Sequence, residues 1–300
     1  MFRKALLAAA ATALIATAAQ AQQAQNFDAV QIKATDLGHK TWMLEGQGGN
    51  MTVIVGDDAV ILVDTEFAPL HDKIKAAIAT LSDKPVRYVV NTHLHGDHTG
   101  GNQGFWIEGA TLVASKELAA SMASGTTNAL TGAKTPPAPK AAIPTRTYSG
   151  AAPLIVKGRS VQLTHMPASH TKGDTAVWVG DANVLATGAI VSIGGRYPNI
   201  DVGDGGDIDG LIKSTDAFIA RANAQTKIVP GHGPLMSRAD LTTYRKLLAD
   251  ARTAVAKLKA SGMSEDQVVA AKPLAGDIQT RAGANDQASV NFTRLIYKSI

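Results

Sequence analysis

The string Asn91-Thr-His-Leu-His-Gly-Asp-His-Thr-Gly-Gly101 constrains this chain more than any other stretch. It gathers three histidines and an aspartate directly after the apolar run Val86-Arg-Tyr-Val-Val90. An extended backbone turns residues i and i+2 to one side, so His93 and His95 can aim two imidazoles at one cation. Gly96 permits a sharp turn, after which Asp97 and His98 can face a second point nearby. A lone histidine there would read as a surface group or a satisfied core residue. Three with a carboxylate, between a buried strand and a Gly-Gly turn, read as a metal site. The chain has no cysteine, which excludes disulfides, thiolate zinc ligands, iron–sulfur clusters and cysteine nucleophiles.

The amino terminus carries a separate message. Two positive charges in Met1 to Lys4, the Ala/Leu-rich run Ala5 to Ala18 and the small-x-small site Ala19-Gln20-Ala21 read as a secretory signal peptide over residues 1–21. The apolar run is too short for a membrane span and polar residues follow at once, an uncleaved anchor being the alternative. Cleavage removes Arg3 and Lys4, so the formal charge falls from +4 to +2 and the sequence pI of 9.2 overstates how basic the mature chain is. There is no lysine/arginine run and no basic stripe with interleaved aromatics, so a nucleic-acid partner is not expected. The expected protein is periplasmic or secreted, has no membrane span after cleavage, and acts on a small molecule. Without cysteines in an oxidising compartment, its core and a metal must hold it together.

Met51-Thr-Val-Ile-Val55 and Ala59-Val-Ile-Leu-Val63 flank Gly56-Asp57-Asp58, a hairpin signal. Leu70, Ile74, Ala77, Ile78 and Leu81 have helical spacing, and Val86–Val90 follows as a strand. Thr111–Ser115 and Lys116–Ser124 repeat the strand-then-helix order. Thr126 to Pro144, rich in Thr, Ala and Pro, reads as a long surface loop that could overhang a site. Strands resume at 160–164, 175–179 and 183–186, with a helix at 208–222 and a last strand at 227–230. Two successive sets of strands and helices fit two sheet-plus-helix halves packed face to face. Beyond Leu235, Leu241, Tyr244, Leu248, Ala251, Val255 and Leu258 form one helical stripe. Ser264-x-x-Gln267 resembles a capping box opening a short helix that Pro273 ends. The domain reading is therefore a main domain over 22–235 and a helical extension over 236–300 packed on it.

Two further histidines stand where strands should end: His170 in Ala168-Ser-His-Thr-Lys-Gly-Asp174 and His232 in Pro230-Gly-His-Gly-Pro234. With the first cluster, and in this order from about Phe27 to Leu235, they make the chain resemble the metallo-β-lactamase superfamily. The resemblance implies an α/β fold, an αββα four-layer sandwich with a dinuclear zinc site between the sheet edges. It implies His93, His95 and His170 at one zinc and Asp97, His98 and His232 at the other. Three ligands per metal leave room for water, as in catalytic zinc sites. Asp64, after Ile61-Leu-Val63, matches the family's early Asp motif and would orient a ligand, a turn or cap role being the alternative. His39, His71 and His165 match no ligand motif and read as structural or exposed.

One departure stands out. Many superfamily members, including glyoxalase II-like thioesterases and phosphodiesterases, carry a metal-bridging Asp after the glycine of Thr187-Gly188, and one lactamase subclass has a Cys there. This chain has Ala189, so the second zinc is expected to bind more weakly. The resemblance implies a zinc-dependent hydrolase using a metal-bound hydroxide, with Asp97 and His95 as catalytic residues. Arg196 and Tyr197 are candidates for gripping a substrate carboxylate, a surface-charge role being the alternative for Arg196. Export, Asp-His-His at the second site and the missing bridging carboxylate tilt the substrate towards cyclic amides such as β-lactams. A lactone, ester or thioester hydrolase is the alternative, and a non-catalytic zinc-binding relative a further one.

Overall fold

A computed structural model describes residues 26–300 of the chain; the expected signal peptide lies outside the described residues. In chain order the structure begins with strands β1 (Lys33–Gly38), β2 (Thr41–Glu45), β3 (Met51–Val55) and β4 (Val60–Val63), then helix α1 (His71–Ala79) and strand β5 (Val86–Val90). Short helices α2 (Gly96–Thr99) and α3 (Asn102–Ile107), strand β6 (Thr111–Ser115) and helix α4 (Lys116–Ser124) follow. The Thr/Ala/Pro-rich segment holds the small ladder of β7 (Thr126–Thr127) with β8 (Lys134–Thr135) and a 3-10 turn at Lys140–Ala142. After it come β9 (Arg146–Tyr148), β10 (Ala151–Val156), β11 (Arg159–His165), β12 (Thr175–Val179) and β13 (Val184–Ala186). Helix α5 (Ile208–Arg221) leads to strand β14 (Lys227–Val229), and α6 (Arg238–Ala260), α7 (Glu265–Ala270), α8 (Asp277–Ala282) and α9 (Asp286–Ser299) complete the chain.

The first sheet has the order β1-β2-β3-β4-β5-β6-β9 and the second β10-β11-β12-β13-β14. The β3–β4 pair is the hairpin read from Gly56-Asp57-Asp58. β5 runs parallel between β4 and β6, as a strand reached through crossover helices must.

Strand alternation builds the layers. In β4, Ile61 and Val63 face the second sheet and meet Val161, Leu163, Val177, Val184 and Val229 in one dry cluster. Val60 and Leu62 face the other way, onto Ile74 and Ile78 of α1 and Phe105 of α3. A strand buried on both faces must be apolar at every position, and Val60-Ile-Leu-Val63 is. On the outer face of the second sheet, Ala176, Leu185 and Ile228 share a core with Leu211 and Phe218 of α5, Leu241, Tyr244 and Leu248 of α6, and Phe292 and Ile296 of α9. The result is the αββα sandwich. Helix α6, with a capping box of Ser237 and Asp240, lies beside α5 as half of the fourth layer, and α7–α9 pack against it. Among the described residues no helix is long and apolar enough to cross a membrane.

Candidate metal centre

Three strand ends deliver the six candidate donors. β5 runs into Asn91-Thr92-His93, and α2 begins directly after His95, so its single turn carries Asp97 and His98 back across the end of the sheet. The loop before β12 carries His170, and the backbone bond from Thr175 N–H to Thr92 C=O (2.7 Å) ties that loop to the first histidine segment. β14 runs into Pro230-Gly-His232, which Asn50 clamps by donating from Nδ2 to the carbonyls of Pro230 (3.0 Å) and Gly233 (2.8 Å). Gly231 has no room for a Cβ, which would stand 2.5 Å from the Ala189 nitrogen.

The structure brings together all six residues expected as ligands. Donor atoms of His93, His95 and His170, and separately of Asp97, His98 and His232, lie within 4.8 Å of one another. Asp97 Oδ2 is 3.3 Å from His232 Nε2 and 3.9 Å from His98 Nε2. The outer nitrogen of each of four rings meets an oxygen that fixes its tautomer. His98 Nδ1 donates to Asp64 Oδ2 (2.7 Å), His95 Nε2 to Asp201 Oδ2 (2.9 Å) and His170 Nδ1 to the Asn199 carbonyl (2.8 Å). Thr92 spends its hydroxyl proton on Asp64 Oδ2 (2.6 Å) and so accepts from His93 Nδ1 (3.0 Å). A neutral imidazole has one N–H, so each inner nitrogen is a bare lone pair. His170 Nε2 and His95 Nδ1 then oppose each other at 2.9 Å, His98 Nε2 faces His232 Nε2 at 3.3 Å, and His93 Nε2 is buried without any hydrogen-bond partner. Lone pairs crowded in this way want cations between them. The nitrogen and carboxylate donors suit zinc and other divalent first-row metals alike.

The electrostatics agree. Burial, reinforced by the neighbouring imidazoles, pushes His93 well below the ordinary histidine value and takes His170 down to about 3, so both stay unprotonated and able to ligate. Burial opposes ionisation of Asp97, but the His232 hydrogen bond and the surrounding histidine charges outweigh it and hold the carboxyl below its usual range. His98 is the exception: burial works against a proton, yet the Asp64 carboxylate beside it raises its value, so a cation at Nε2 competes with a proton there.

Asp64 sits at the end of β4 with φ of 62°, a left-handed turn that aspartate tolerates better than most side chains. Both carboxylate oxygens are used, Oδ1 taking the Thr92 N–H (2.8 Å) and Oδ2 taking Thr92 Oγ1 and His98 Nδ1. Its position is that of an orienting group, as the sequence suggested. Sequence reasoning missed Asp201, whose burial is outweighed by the His95 bond that lowers its pKa, and Asp174, which accepts from the His170 and Thr171 N–H groups. Burial raises Asp174 to about 7 against those bonds. His39, His71 and His165 join neither donor group; His71 packs edge-on to Phe105 (4.6 Å) and His165 bonds the Lys172 carbonyl (2.9 Å).

A cavity of about 270 Å³ opens beside the donors, lined by His95, Asp97, His170, His232, Ala189 and Arg196 among others. None of residues 126–144 lines it; Thr127 packs instead against Gly203, near Asp201. Arg196 is exposed and has no ion-pair partner among the described residues. Tyr197 also lines the cavity, but its ring stacks on Phe292 (4.5 Å between centroids) and its hydroxyl lies 3.3 Å from Ser289 Oγ, so of the pair Arg196 is the exposed polar group.

A sequence profile of the metallo-beta-lactamase superfamily matches residues 44–232. The chain belongs to that superfamily. Among solved structures it is similar to a metallo-beta-lactamase from Pontibacter korlensis, with 20% identity and a TM-score of 0.60 over 73% of this chain and 100% of that one. It is also similar to the stereoselective inverting sec-alkylsulfatase Pisa1 from Pseudomonas sp., with 17% identity and a TM-score of 0.67 over 89% of this chain and 50% of that one. A short stretch of 57 residues is 40% identical to the alkyl/aryl-sulfatase BDS1 of Saccharomyces cerevisiae. The chain spans half the length of the first sulfatase, and the match to the second covers 9% of it. Superfamily members are generally hydrolases, and in this chain Ala189 is buried on the cavity wall and offers no donor atom.

Proposed function

We propose that this superfamily hydrolase is zinc-dependent, holds two ions with the second more weakly, and cleaves a cyclic amide or related carbonyl bond in a small anionic substrate, β-lactams being the first class to test. The observation that carries this reading is the set of inward lone pairs from His93, His95, His170 and His98, completed by Asp97 and His232 beside an unpaired Arg196. Zinc, when bound, supplies Lewis-acid activation of water and of the scissile group. The chain's own residues do the rest. Asp97, ionised and facing the cavity, accepts a hydrogen bond from the attacking water and orients it. His95, held by Asp201 in a single tautomer, keeps the centre rigid, so that positioning costs little when the substrate arrives. Arg196 offers a planar pair of donors to the substrate's anionic group. We place the mature protein in the periplasm or outside the cell, after removal of residues 1–21.

A second reading, sulfate-ester hydrolysis, is favoured by one observation. The sec-alkylsulfatase match covers 89% of this chain; since residues 1–235 are 78% of it, that match takes in part of the C-terminal helices. The test is turnover of nitrocefin, a lactone, a thioester and p-nitrophenyl sulfate, each with and without added zinc. The cyclic-amide reading expects zinc-stimulated turnover greatest with nitrocefin and reduced by several orders of magnitude in His95→Ala. Highest turnover with the lactone, the thioester or the sulfate overturns it in favour of that bond class. No zinc-stimulated turnover of any of them overturns the hydrolase reading.

A further inference from the structure

A second and larger hollow of about 500 Å³ adjoins the metal-site cavity. The two share Ser192 and Arg196 as wall residues. One side of the hollow is the turn Ile193-Gly194-Gly195, in which both glycines have positive φ (89° and 78°). The other side is made by α6 and the end of α8. The turn and α8 are in close contact, because a Cβ on Gly283 would stand 3.2 Å from the Gly195 Cα. Tyr244 of α6 fastens the floor by donating its hydroxyl to the Ile190 carbonyl (2.7 Å).

The lining chemistry is selective. Met236, Tyr244, Leu247 and Ala282 are buried apolar groups beneath Ile193 and Leu235. Two charged residues besides Arg196 line the hollow, and both have carboxylate or capping partners. Asp240 accepts from the Ser237 N–H and hydroxyl, and Arg281 is paired through Nε with Asp277 and through Nη2 with Asp250, its Nη1 having no partner. What is left is a groove with a buried apolar floor, a mixed rim, and Arg196, which has no ion-pair partner among the described residues, at the end nearest the metal centre.

We infer that this groove seats the apolar tail of the same substrate whose anionic group is held by Arg196, so that the C-terminal helices select anionic amphiphiles. The inference rests on the hydrolase reading for the reaction, but not for the binding. A tail lying from Arg196 along Ile193, Leu247 and Ala282 buries its methylenes, and each fully buried methylene is worth about a fourfold gain in affinity. Specificity then resides in α6 and α8, outside residues 44–232 that match the superfamily profile.

The experiment is calorimetric titration of the zinc-loaded full chain with n-hexanoate and n-decanoate, which needs no turnover. Wild type should bind decanoate more tightly, with about 200-fold as the ceiling for four more buried methylenes. Thr243→Trp and Thr280→Trp place an indole in the groove from exposed positions on α6 and α8. Either variant should reduce the difference to under about tenfold, the loss falling mainly on decanoate. Arg196→Ala should weaken both ligands by the same factor. Equal affinity for the two carboxylates in wild type, or an undiminished difference in both tryptophan variants, overturns the inference. If the binding pattern holds while the turnover assays fail, the groove stands and the hydrolase reading falls; the converse pattern removes the groove alone.

Discussion

Asp64→Asn isolates what the buried carboxylate does for the metal centre. The side chains are isosteric, and asparagine accepts the φ of 62° at this position, so the backbone has no reason to move. Oδ1 can still take the Thr92 N–H. Oδ2, which now accepts from Thr92 Oγ1 at 2.6 Å and His98 Nδ1 at 2.7 Å, becomes an NH₂ that can only donate. The Thr92 hydroxyl rotates away, whereas the His98 ring, 0% exposed, cannot. Its proton must move from Nδ1 to Nε2, the nitrogen that faces His232 and Asp97, and one inward lone pair is lost. Loss of a bond to a charged group costs about 1.5–3 kcal/mol of stability, and disturbing the partner of a ligating histidine lowers metal affinity by about 10–100-fold. That loss should fall on the Asp97/His98/His232 group and leave the His93/His95/His170 group within a few-fold. Zinc titration against a chromophoric chelator resolves the two affinities, and urea unfolding of the chelator-treated protein reads the stability cost. Asp64→Ala is the control for mere destabilisation, since it orphans three buried donors and costs about 1–3 kcal/mol for each. If Asp64→Asn binds a second zinc as tightly as wild type, the tautomer argument is wrong.

Ala189→Asp should raise affinity for the weaker zinc, because it adds a negative charge to the buried wall of the cavity that His95, Asp97, His170 and His232 also line; unchanged affinity in the same titration would show that the position is too far from the donors to matter. Asp174→Asn should change the pH dependence of unfolding in the metal-free protein. The wild-type carboxyl keeps its proton up to about 7 in the fold but loses it near 4 when unfolded, so the folded state binds more protons between those values and gains stability as pH falls from about 7 to about 4, by at most about 1.4 kcal/mol per unit. The variant lacks this contribution, so its deficit relative to wild type should widen on acidification across that window; a parallel pair of stability curves, from urea unfolding at each pH, would refute the assignment.

The ligands were legible because much of the information is local. His93, His95, Asp97 and His98 need only the end of β5 and the single turn α2 to reach their places, and the strand and glycine signals for both are in the same string. The groups that fix the tautomers are another matter. Asp64 and His98 are 34 positions apart and Asp201 and His95 are 106 apart, and only the closing of two sheets brings them together. Asp64 could be reached through the family motif, while Asp201 carries no signal of its own. The fold shows the same division. β4, β5 and β12, apolar or nearly so, read clearly, but β1 is Lys-Ala-Thr-Asp-Leu-Gly with mostly exposed or half-buried positions, and an edge strand of that kind shows no alternation to find.

Helix α9 explains why Tyr197 is buried. Its buried face combines Phe292, Leu295 and Ile296 with Ser289 and Thr293, so two of five core positions are hydroxyls that look solvated in the sequence. They are tolerated because Ser289 Oγ donates to the Asn285 carbonyl and Thr293 Oγ1 to the Ser289 carbonyl, which satisfies each within the helix itself. With that face hidden, nothing in the sequence says that Tyr197 has a partner 95 residues later in Phe292. Once the stack forms, Tyr197 is drawn into the fourth layer, and its neighbour Arg196 remains at the surface between the two cavities. The C-terminal helices thereby leave Arg196 as the exposed polar group of the pair, although all six candidate donors lie before them in the chain.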